Sequence, residues 1–266
     1  MSGTDVGPQD VVILAVKAPA MPEVVGLLPP LLGDDTVVLP FMNGVPWWFG
    51  HGTALGDEPL ESVDPAGVVT RAVPYDRVLG GVVHASCATP EPGLVRHMMG
   101  NGLIVGEPAG GASARVAAVC EVLRAAGFDV TESNDVRRDL WYKLWGNMTV
   151  NPVSALTGAT ADRILADPFV RAFNSRAMLE AQAIGGLVGC PIDETPEDRH
   201  AVTARLGAFR TSMLQDVDAG RPVELDALLT AVHEIGLRLG VPTPTIDDLL
   251  GLARLAARVR GVYPEA

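Results

Sequence analysis

Apolar positions form short continuous runs in the first half of the chain and long helical stripes in the second half. Val11 to Val16 is an unbroken apolar and largely β-branched run, which predicts a strand buried on both faces of a parallel sheet. A helix is predicted from Pro22 to near Gly33, and a second strand from Thr36 to Phe41. A strand, a helix and a strand in this order indicate one βαβ crossover.

Weaker signals complete the first half. Strands are predicted at 66–69, 81–88 and 103–105, and the turn residues between them suggest an antiparallel sheet edge. A helix is predicted from Ser113 to Ala126, because Ser113 is placed to cap its start and Gly127 to end it.

From about Asn134 the pattern changes to long helices. They are predicted at 135–151, 168–188, 197–219, 224–239 and 245–258. The first is expected to end at Asn151, since the residue before a proline is pushed out of the α region. The chain is therefore predicted to have an α/β domain at 1–133 and an all-helical domain at 134–266. A cleft between two such domains is the default place for a site.

Composition excludes several classes of function. A net charge of −12 argues against a nucleic-acid surface or an anionic membrane partner, so an anionic substrate would need a local positive site. Three cysteines without CxxC spacing predict neither a disulfide framework nor a zinc site, and they fit a reducing cytoplasm. The five histidines are scattered without ligand spacing, and no apolar stretch is long enough for a signal peptide or a membrane span.

One helix carries a polar stripe. Lys143, Asn147 and Asn151 recur every four residues, so each steps only ~40° around the helix and ~6 Å along it. One cation and two amides therefore face the same way, in a segment that includes several poor helix formers. One interpretation is that these side chains have a functional role. A lysine on a solvated face, with two amides that cap a neighbouring element, is the other.

Two more places offer matching chemistry. Asn43 follows a buried parallel strand, where open α/β sheets bind ligands. Ser212 lies in one predicted helix, and Glu224 opens the next, although an ordinary helical serine and an acidic residue at a helix start are also common. Hydride addition to a carbonyl leaves an alkoxide, which a lysine can meet with charge and a proton. Amides and a hydroxyl can hold a carboxylate, and a glutamate can keep the lysine charged.

These residues lie in longer stretches that resemble the ketopantoate reductase family. The resemblance begins with Asp10–Ala18 and Met42-Asn43-Gly44, and is strongest in Leu140–Thr157, which contains the polar stripe. It closes with Thr211–Asp226, which contains Ser212 and Glu224. It covers nearly the whole chain, and the two spacings together are specific.

The resemblance implies a two-domain dehydrogenase that reduces 2-dehydropantoate to pantoate with NADPH, in pantothenate and coenzyme A biosynthesis. It implies Lys143 as the proton donor and Glu224 as the residue that binds the substrate's hydroxyl end and supports Lys143. The substrate-binding residues would be Asn43, Asn147, Asn151 and Ser212, and the residues near the nicotinamide would be Lys17 and Asn43. The expected partner is a small 2-oxo acid, without nucleic acid or membrane, and a homodimer is left open.

One departure from the family is large. The Gly-x-Gly-x-x-Gly turn that receives a pyrophosphate is absent, so the fold is expected to be an incomplete Rossmann-like domain followed by an all-helical domain. The cluster from Gly100 to Gly106 has the wrong spacing. The missing turn predicts weak NADPH binding for this chain. Two alternatives stay open: a reductase of another 2-oxo acid, and a non-catalytic remnant that acts through helical association.

Overall fold

The computed structural model describes residues 6–265, which form two compact units. Of the described residues, one unit holds those up to Asn43 together with Val68–Leu140, and the other holds Gly44–Gly67 together with those from Trp141 onwards. These units differ from the predicted ranges 1–133 and 134–266 in two respects. The division falls seven residues later, and the segment 44–67 packs with the helices.

The first unit is built on five strands. β1 and β2 are parallel, with Val12 opposite Val38, while β3 and β4 are antiparallel and β5 runs parallel to β4. Isolated bridges from Val38 to Val78 and from Phe41 to Gly81 connect β2 with the start of β3. The strands are β1 (Gln9–Leu14), β2 (Leu32–Pro40), β3 (Gly80–Glu91), β4 (Leu94–Gly106) and β5 (Asp129–Ser133).

Three short α-helices are described in full in this unit. The predicted crossover helix at 22–33 is wrong in form, since it consists of α1 (Met21–Val24) and two 3₁₀ turns, Val25–Leu27 and Pro29–Leu31. These turns contain Gly26 and Pro29, residues that do not sustain an α-helix. The helix at 113–126 is confirmed as α3 (Ala114–Ala125). Its N-cap Ser113 accepts a hydrogen bond from the Val116 amide at 3.2 Å. Between them lies α2 (Val68–Ala72).

Three expectations for this unit are corrected. The predicted strand at 66–69 is a turn followed by α2, because Ala66 and Gly67 have φ values of 53° and 67°, outside the strand region. β1 is not buried on both faces, since Val11 and Ile13 are 36% and 48% exposed. β5 was not predicted, because its single buried residue, Val130, leaves no alternating pattern.

The second unit is helical. Its helices are α4 (Val136–Thr157), α5 (Ala161–Ala166), α6 (Pro168–Leu187), α7 (Pro196–Ala204), α8 (Ser212–Asp218), a π-helix (Asp226–Thr230), α9 (Ala231–Leu239) and α10 (Pro244–Val259). The unit boundary between Leu140 and Trp141 falls within α4. The predicted helices at 168–188 and 245–258 are confirmed.

Two predicted helices in this unit end elsewhere. α4 continues through Pro152 to Thr157, because Val153, Ser154 and Ala155 are all buried and their packing offsets the bond that proline removes. The single helix predicted at 197–219 is instead α7 and α8. The interruption contains Gly207, at φ 61°, a conformation that stops a helix.

The segment 44–67 joins the helices through backbone and carboxylate contacts. The Val45 amide donates to the Ala227 carbonyl at 2.7 Å. The Glu234 carboxylate accepts from the amides of Glu61 and Ser62, both at 2.9 Å. No sequence pattern predicts these contacts, so the sequence alone assigns the segment to the first domain. Among the described residues, no helix is long and apolar enough to cross a membrane.

Candidate active site

The polar stripe lies on α4 as predicted. Asn151 is buried, while Lys143 and Asn147 are half-buried. The orientation of the helix is set by two tryptophans. The Trp145 indole donates to the Met178 carbonyl at 2.7 Å, and Trp141 stacks on Phe49 with ring centroids 5.3 Å apart. Both indoles are completely buried, so the rotation of α4 about its axis is determined by packing on either side of Lys143.

Lys143 is not on a solvated face. Burial lowers the pKa of Lys143 from its ordinary value of 10.5 to about 8, and the negative charge of Glu224 opposes this effect. An amine with such a pKa exchanges a proton near neutral pH, which an exposed lysine does not. Lys143 and Lys17 are the only lysines in the chain, whose other basic residues, histidines aside, are arginines.

Glu224 is brought close to Lys143 within the helical unit. Its side chain is 8% exposed, and its carbonyl accepts from the Leu228 amide at the start of the helical segment. The turn before it is closed by an ion pair between Asp216 and Arg221 at 3.1 Å, and by the Arg221 amide, which donates to the Asp216 carbonyl at 2.8 Å. These two residues were part of the resemblance but had no assigned role. Their five-residue separation across Gly220 was the available signal.

Ser212 is placed differently from the prediction. It is the first residue of α8 instead of an interior residue of a long helix, and it is exposed. Its neighbour Thr211 is the N-cap and accepts from the Leu214 amide at 3.2 Å. The structure therefore brings Lys143 and Glu224 together, whereas Ser212 lies at the exposed start of α8.

Lys17 and Asn43 belong to the first unit, the sheet unit, which contains β1 to β5. Lys17 comes three residues after β1 ends and Asn43 three residues after β2 ends, and both are half-buried. The strands are parallel, and the Phe41 amide donates to the Leu14 carbonyl at 2.9 Å, so both side chains follow the carboxyl edge of the same strand pair. This is the edge where open α/β sheets bind ligands.

The glycine cluster at 100–106 lies within β4. It is therefore not the strand-to-helix turn of a nucleotide-binding motif. Gly100 has φ 72°, and a Cβ there would lie 2.3 Å from the His84 carbonyl oxygen, so close β3–β4 pairing explains this glycine. The described residues contain no group of three or more side chains able to hold a metal ion.

Comparison with known proteins agrees with these features. The family described as "Ketopantoate reductase PanE/ApbA" matches residues 2–110, and "Ketopantoate reductase PanE/ApbA C terminal" matches residues 135–257. The chain belongs to the ketopantoate reductase family. The predicted family, the α/β fold with its helical second part, and the oxidoreductase class are thereby confirmed.

Individual relatives are similar over almost the whole chain. A 2-dehydropantoate 2-reductase from Mesorhizobium japonicum is 43% identical over 97% of this chain and 80% of its own length. A crystal structure from Ralstonia solanacearum MolK2, described as a candidate ketopantoate reductase, is 54% identical, with a TM-score of 0.95 over 98% of this chain and 81% of that one. D-mandelate dehydrogenase, solved with NADH and anilino(oxo)acetate, shares the fold at 18% identity and a TM-score of 0.81, over 96% of this chain and 78% of its own.

Proposed function

We propose that this protein reduces 2-dehydropantoate to pantoate with NADPH, with Lys143 as the proton donor to the keto oxygen. The observation that carries the proposal is a half-buried lysine whose desolvated ammonium has a pKa lowered to about 8 and whose charge is supported by Glu224. An arginine could not serve, because it does not release its proton in this pH range. The chain's only other lysine, Lys17, is the one predicted near the nicotinamide.

Each residue has a distinct part in the proposed reaction. A bound nicotinamide cofactor supplies the hydride to the carbonyl carbon. Lys143 stabilises the developing alkoxide and donates its proton to it. Glu224 binds the hydroxyl end of the substrate and keeps Lys143 charged. The amides of Asn147 and Asn151, with the hydroxyl of Ser212, hold the substrate carboxylate without adding charge.

The cofactor is proposed to approach the carboxyl edge of β1 and β2. Lys17 and Asn43 fit the nicotinamide end, since a half-buried cation and an amide follow adjacent parallel strands there. The sequence has no Gly-x-Gly-x-x-Gly turn for the phosphates, so weak NADPH binding remains our prediction for this chain. D-mandelate dehydrogenase was solved with NADH, which makes a parallel NADH titration necessary.

A titration combined with a turnover assay tests the proposal. All four tryptophans lie in the helical unit and two flank Lys143, so NADPH and NADH binding can be followed by tryptophan quenching. The turnover assay uses 2-dehydropantoate with each cofactor in turn. With the cofactor that supports turnover, Lys143→Ala is expected to lower kcat by about 10²- to 10⁴-fold. Near-normal turnover would remove Lys143 from the mechanism.

Glu224→Gln separates substrate binding from cofactor binding. The change removes a charge and leaves the shape, so we expect a raised KM for 2-dehydropantoate and little change in NADPH affinity. An equal loss of both affinities would move Glu224 out of the substrate site.

A panel of 2-oxo acids tests the second candidate function, a reductase of another 2-oxo acid. The run Pro46-Trp47-Trp48 after Gly44 suggests this alternative.

A homodimer is also proposed, with the outer face of α10 as its contact. Leu252, Leu255 and Val259 form a stripe there and are 60%, 61% and 81% exposed. Two copies of α10 packed antiparallel about a twofold axis would place Asp248 of one copy near Arg258 of the other. A ketopantoate reductase from Staphylococcus aureus, similar in fold, is described as dimeric.

Sedimentation tests the dimer. Leu255→Asp is expected to give a monomer, whereas Leu237→Asp, at a residue 67% exposed on α9, is expected to leave the dimer intact. A dimer without affinity for either nucleotide would favour the non-catalytic alternative. A cytoplasmic location is proposed with the enzyme, because its substrate and cofactor are soluble metabolites.

A further inference from the structure

The chain on both sides of Glu224 is attached to the segment that follows α10. Before Glu224, the Val223 amide donates to the Val262 carbonyl at 3.1 Å. After it, the Tyr263 hydroxyl donates to Oδ1 of Asp226 at 2.6 Å. Val262 is 3% exposed, so the first of these contacts is shielded from water. Glu224 thus lies between two anchor points supplied by adjacent residues, 262 and 263.

The anchoring segment is itself well held. The Val262 amide donates to the Ala257 carbonyl at 2.9 Å, after a turn at Gly261 with φ 67°. The Arg258 guanidinium lies over the Tyr263 ring, 5.7 Å from its centroid. The segment is therefore connected to the last turn of α10, which is part of the same unit as Glu224.

The start of the helix after Glu224 has little support of its own. Residues 226–230 form a π-helix, a wide and uncommon turn, and its N-cap Leu225 offers no side-chain cap. The Leu228 amide reaches the Glu224 carbonyl at 3.3 Å, a long bond. The direction of the Glu224 side chain therefore depends on contacts from outside the helix.

We infer that Tyr263 is a positioning residue for the reaction: its hydroxyl, bonded to Asp226, holds Glu224 at Lys143. Tyr263 touches neither substrate nor cofactor in this role. The hydroxyl is a dependable donor, because burial and the Asp226 carboxylate raise the pKa of the Tyr263 phenol well above its ordinary value of 10. A second donor, the Thr230 hydroxyl, reaches the same Asp226 oxygen at 2.9 Å and fixes its orientation.

Tyr263→Phe tests the inference by removing one oxygen atom. We expect kcat/KM for 2-dehydropantoate to fall about 3- to 10-fold, as for one lost hydrogen bond. We also expect the Lys143 titration, followed by NMR of ¹³C-methylated lysines in the cofactor-free protein, to move to lower pH by roughly 0.3 to 1. The chain has only two lysines, so the signal is readily assigned. Tyr75→Phe, in the sheet unit, removes the same atom and is the control, with neither change expected.

The interpretation of Glu224 under the proposed function is a premise here, and a double-mutant cycle separates the two. In a Glu224→Gln background, Tyr263→Phe is expected to cost less than about twofold, because its effect passes through Glu224. An unchanged titration midpoint of Lys143 in Tyr263→Phe would overturn the positioning role. So would a loss of kcat/KM in the double variant equal to the product of the losses in the two single variants. An unchanged kcat/KM in Glu224→Gln would instead overturn the proposed function. Asp226→Ala breaks the same bond from its other end and replaces Tyr263→Phe if that variant does not fold.

Discussion

Replacing Lys143 by methionine is expected to stabilise the helical unit while it abolishes turnover. The pKa of Lys143 falls from 10.5 to about 8 because burial disfavours the ammonium, and the opposing charge of Glu224 does not compensate. A tenfold change in a protonation equilibrium corresponds to about 1.4 kcal/mol, so the charged lysine costs the folded state about 3 kcal/mol. Methionine has a similar length and no charge, and it removes this cost.

The sign of the effect follows from the two protonation states. Below pH 8 the amine is charged in both the folded and the unfolded chain, and the whole cost of about 3 kcal/mol applies. As the pH rises from 8 to 10.5, the folded protein loses this proton before the unfolded chain does, and the cost disappears. The gain from Lys143→Met should therefore be about 3 kcal/mol at pH 7 and about 1 kcal/mol at pH 10.

Urea unfolding measures this gain. The tryptophans that report it, Trp47, Trp48, Trp141 and Trp145, are all buried in the helical unit. With an m value of about 2 kcal/mol per molar urea, the midpoint at pH 7 should rise by about 1.5 M. Lys17→Met, in the sheet unit, is the matched control. A variant no more stable than the parent at pH 7, or a gain that does not shrink by pH 10, would refute the assignment of a buried, charged Lys143.

Two further predictions concern the rate and the segment after β2. The kcat/KM for reduction should fall above about pH 8, about tenfold per pH unit, because the proton on Lys143 is lost; a rate that stays level to pH 10 would exclude Lys143 as the donor. Gly44→Ala should be at least about 2 kcal/mol less stable to urea than Gly52→Ala. Both glycines have positive φ, at 80° and 69°, but only at Gly44 would a Cβ meet backbone, 2.3 Å from the Ala227 carbonyl oxygen. Equal losses of stability in the two variants would show that the strain of a positive φ, and not the contact with Ala227, determines the cost.

The elements predicted correctly from sequence are those with local signals. The helix capped by Ser113 and the helix at 168–187 have a capping residue at one end and a consistent apolar face. The strand β2 was found because all of Thr36–Pro40 is buried. In each case neighbouring residues determine the outcome, so the sequence pattern contains enough information.

The sequence-based predictions that the structure corrects share a different cause, which is packing against residues distant in the sequence. β5 exists because it pairs with β4, with Val130 opposite Leu103, although its own residues show no strand pattern. The segment 44–67 belongs with the helices through Glu234, which is more than 170 residues away from Glu61 and Ser62. Tertiary contacts of this kind override local preference and leave no trace in a short window of sequence.

The candidate site was predictable to the extent that its residues lie on one helix. The spacing of Lys143, Asn147 and Asn151 needed only the geometry of an α-helix, and the extension past Pro152 did not disturb it. The pairing of Lys143 with Glu224 was implied by the family resemblance and depends on the fold of the whole helical unit. The supporting contacts of Asp226 with Tyr263 have no sequence signature, because 37 residues separate them.

Two of the poor helix formers in α4 have a structural explanation. Gly146 has a steric reason: a Cβ there would lie 2.5 Å from the Arg199 guanidinium, which stacks over the Tyr142 ring at 5.2 Å. Pro152 is tolerated because the residues after it are buried. Neither therefore points to chemistry. Asn147 and Asn151 are not explained by such packing, and together with the half-buried Lys143 they place three polar side chains on one face of α4. Burial of these groups is costly for folding, which is the expected signature of residues retained for binding and catalysis.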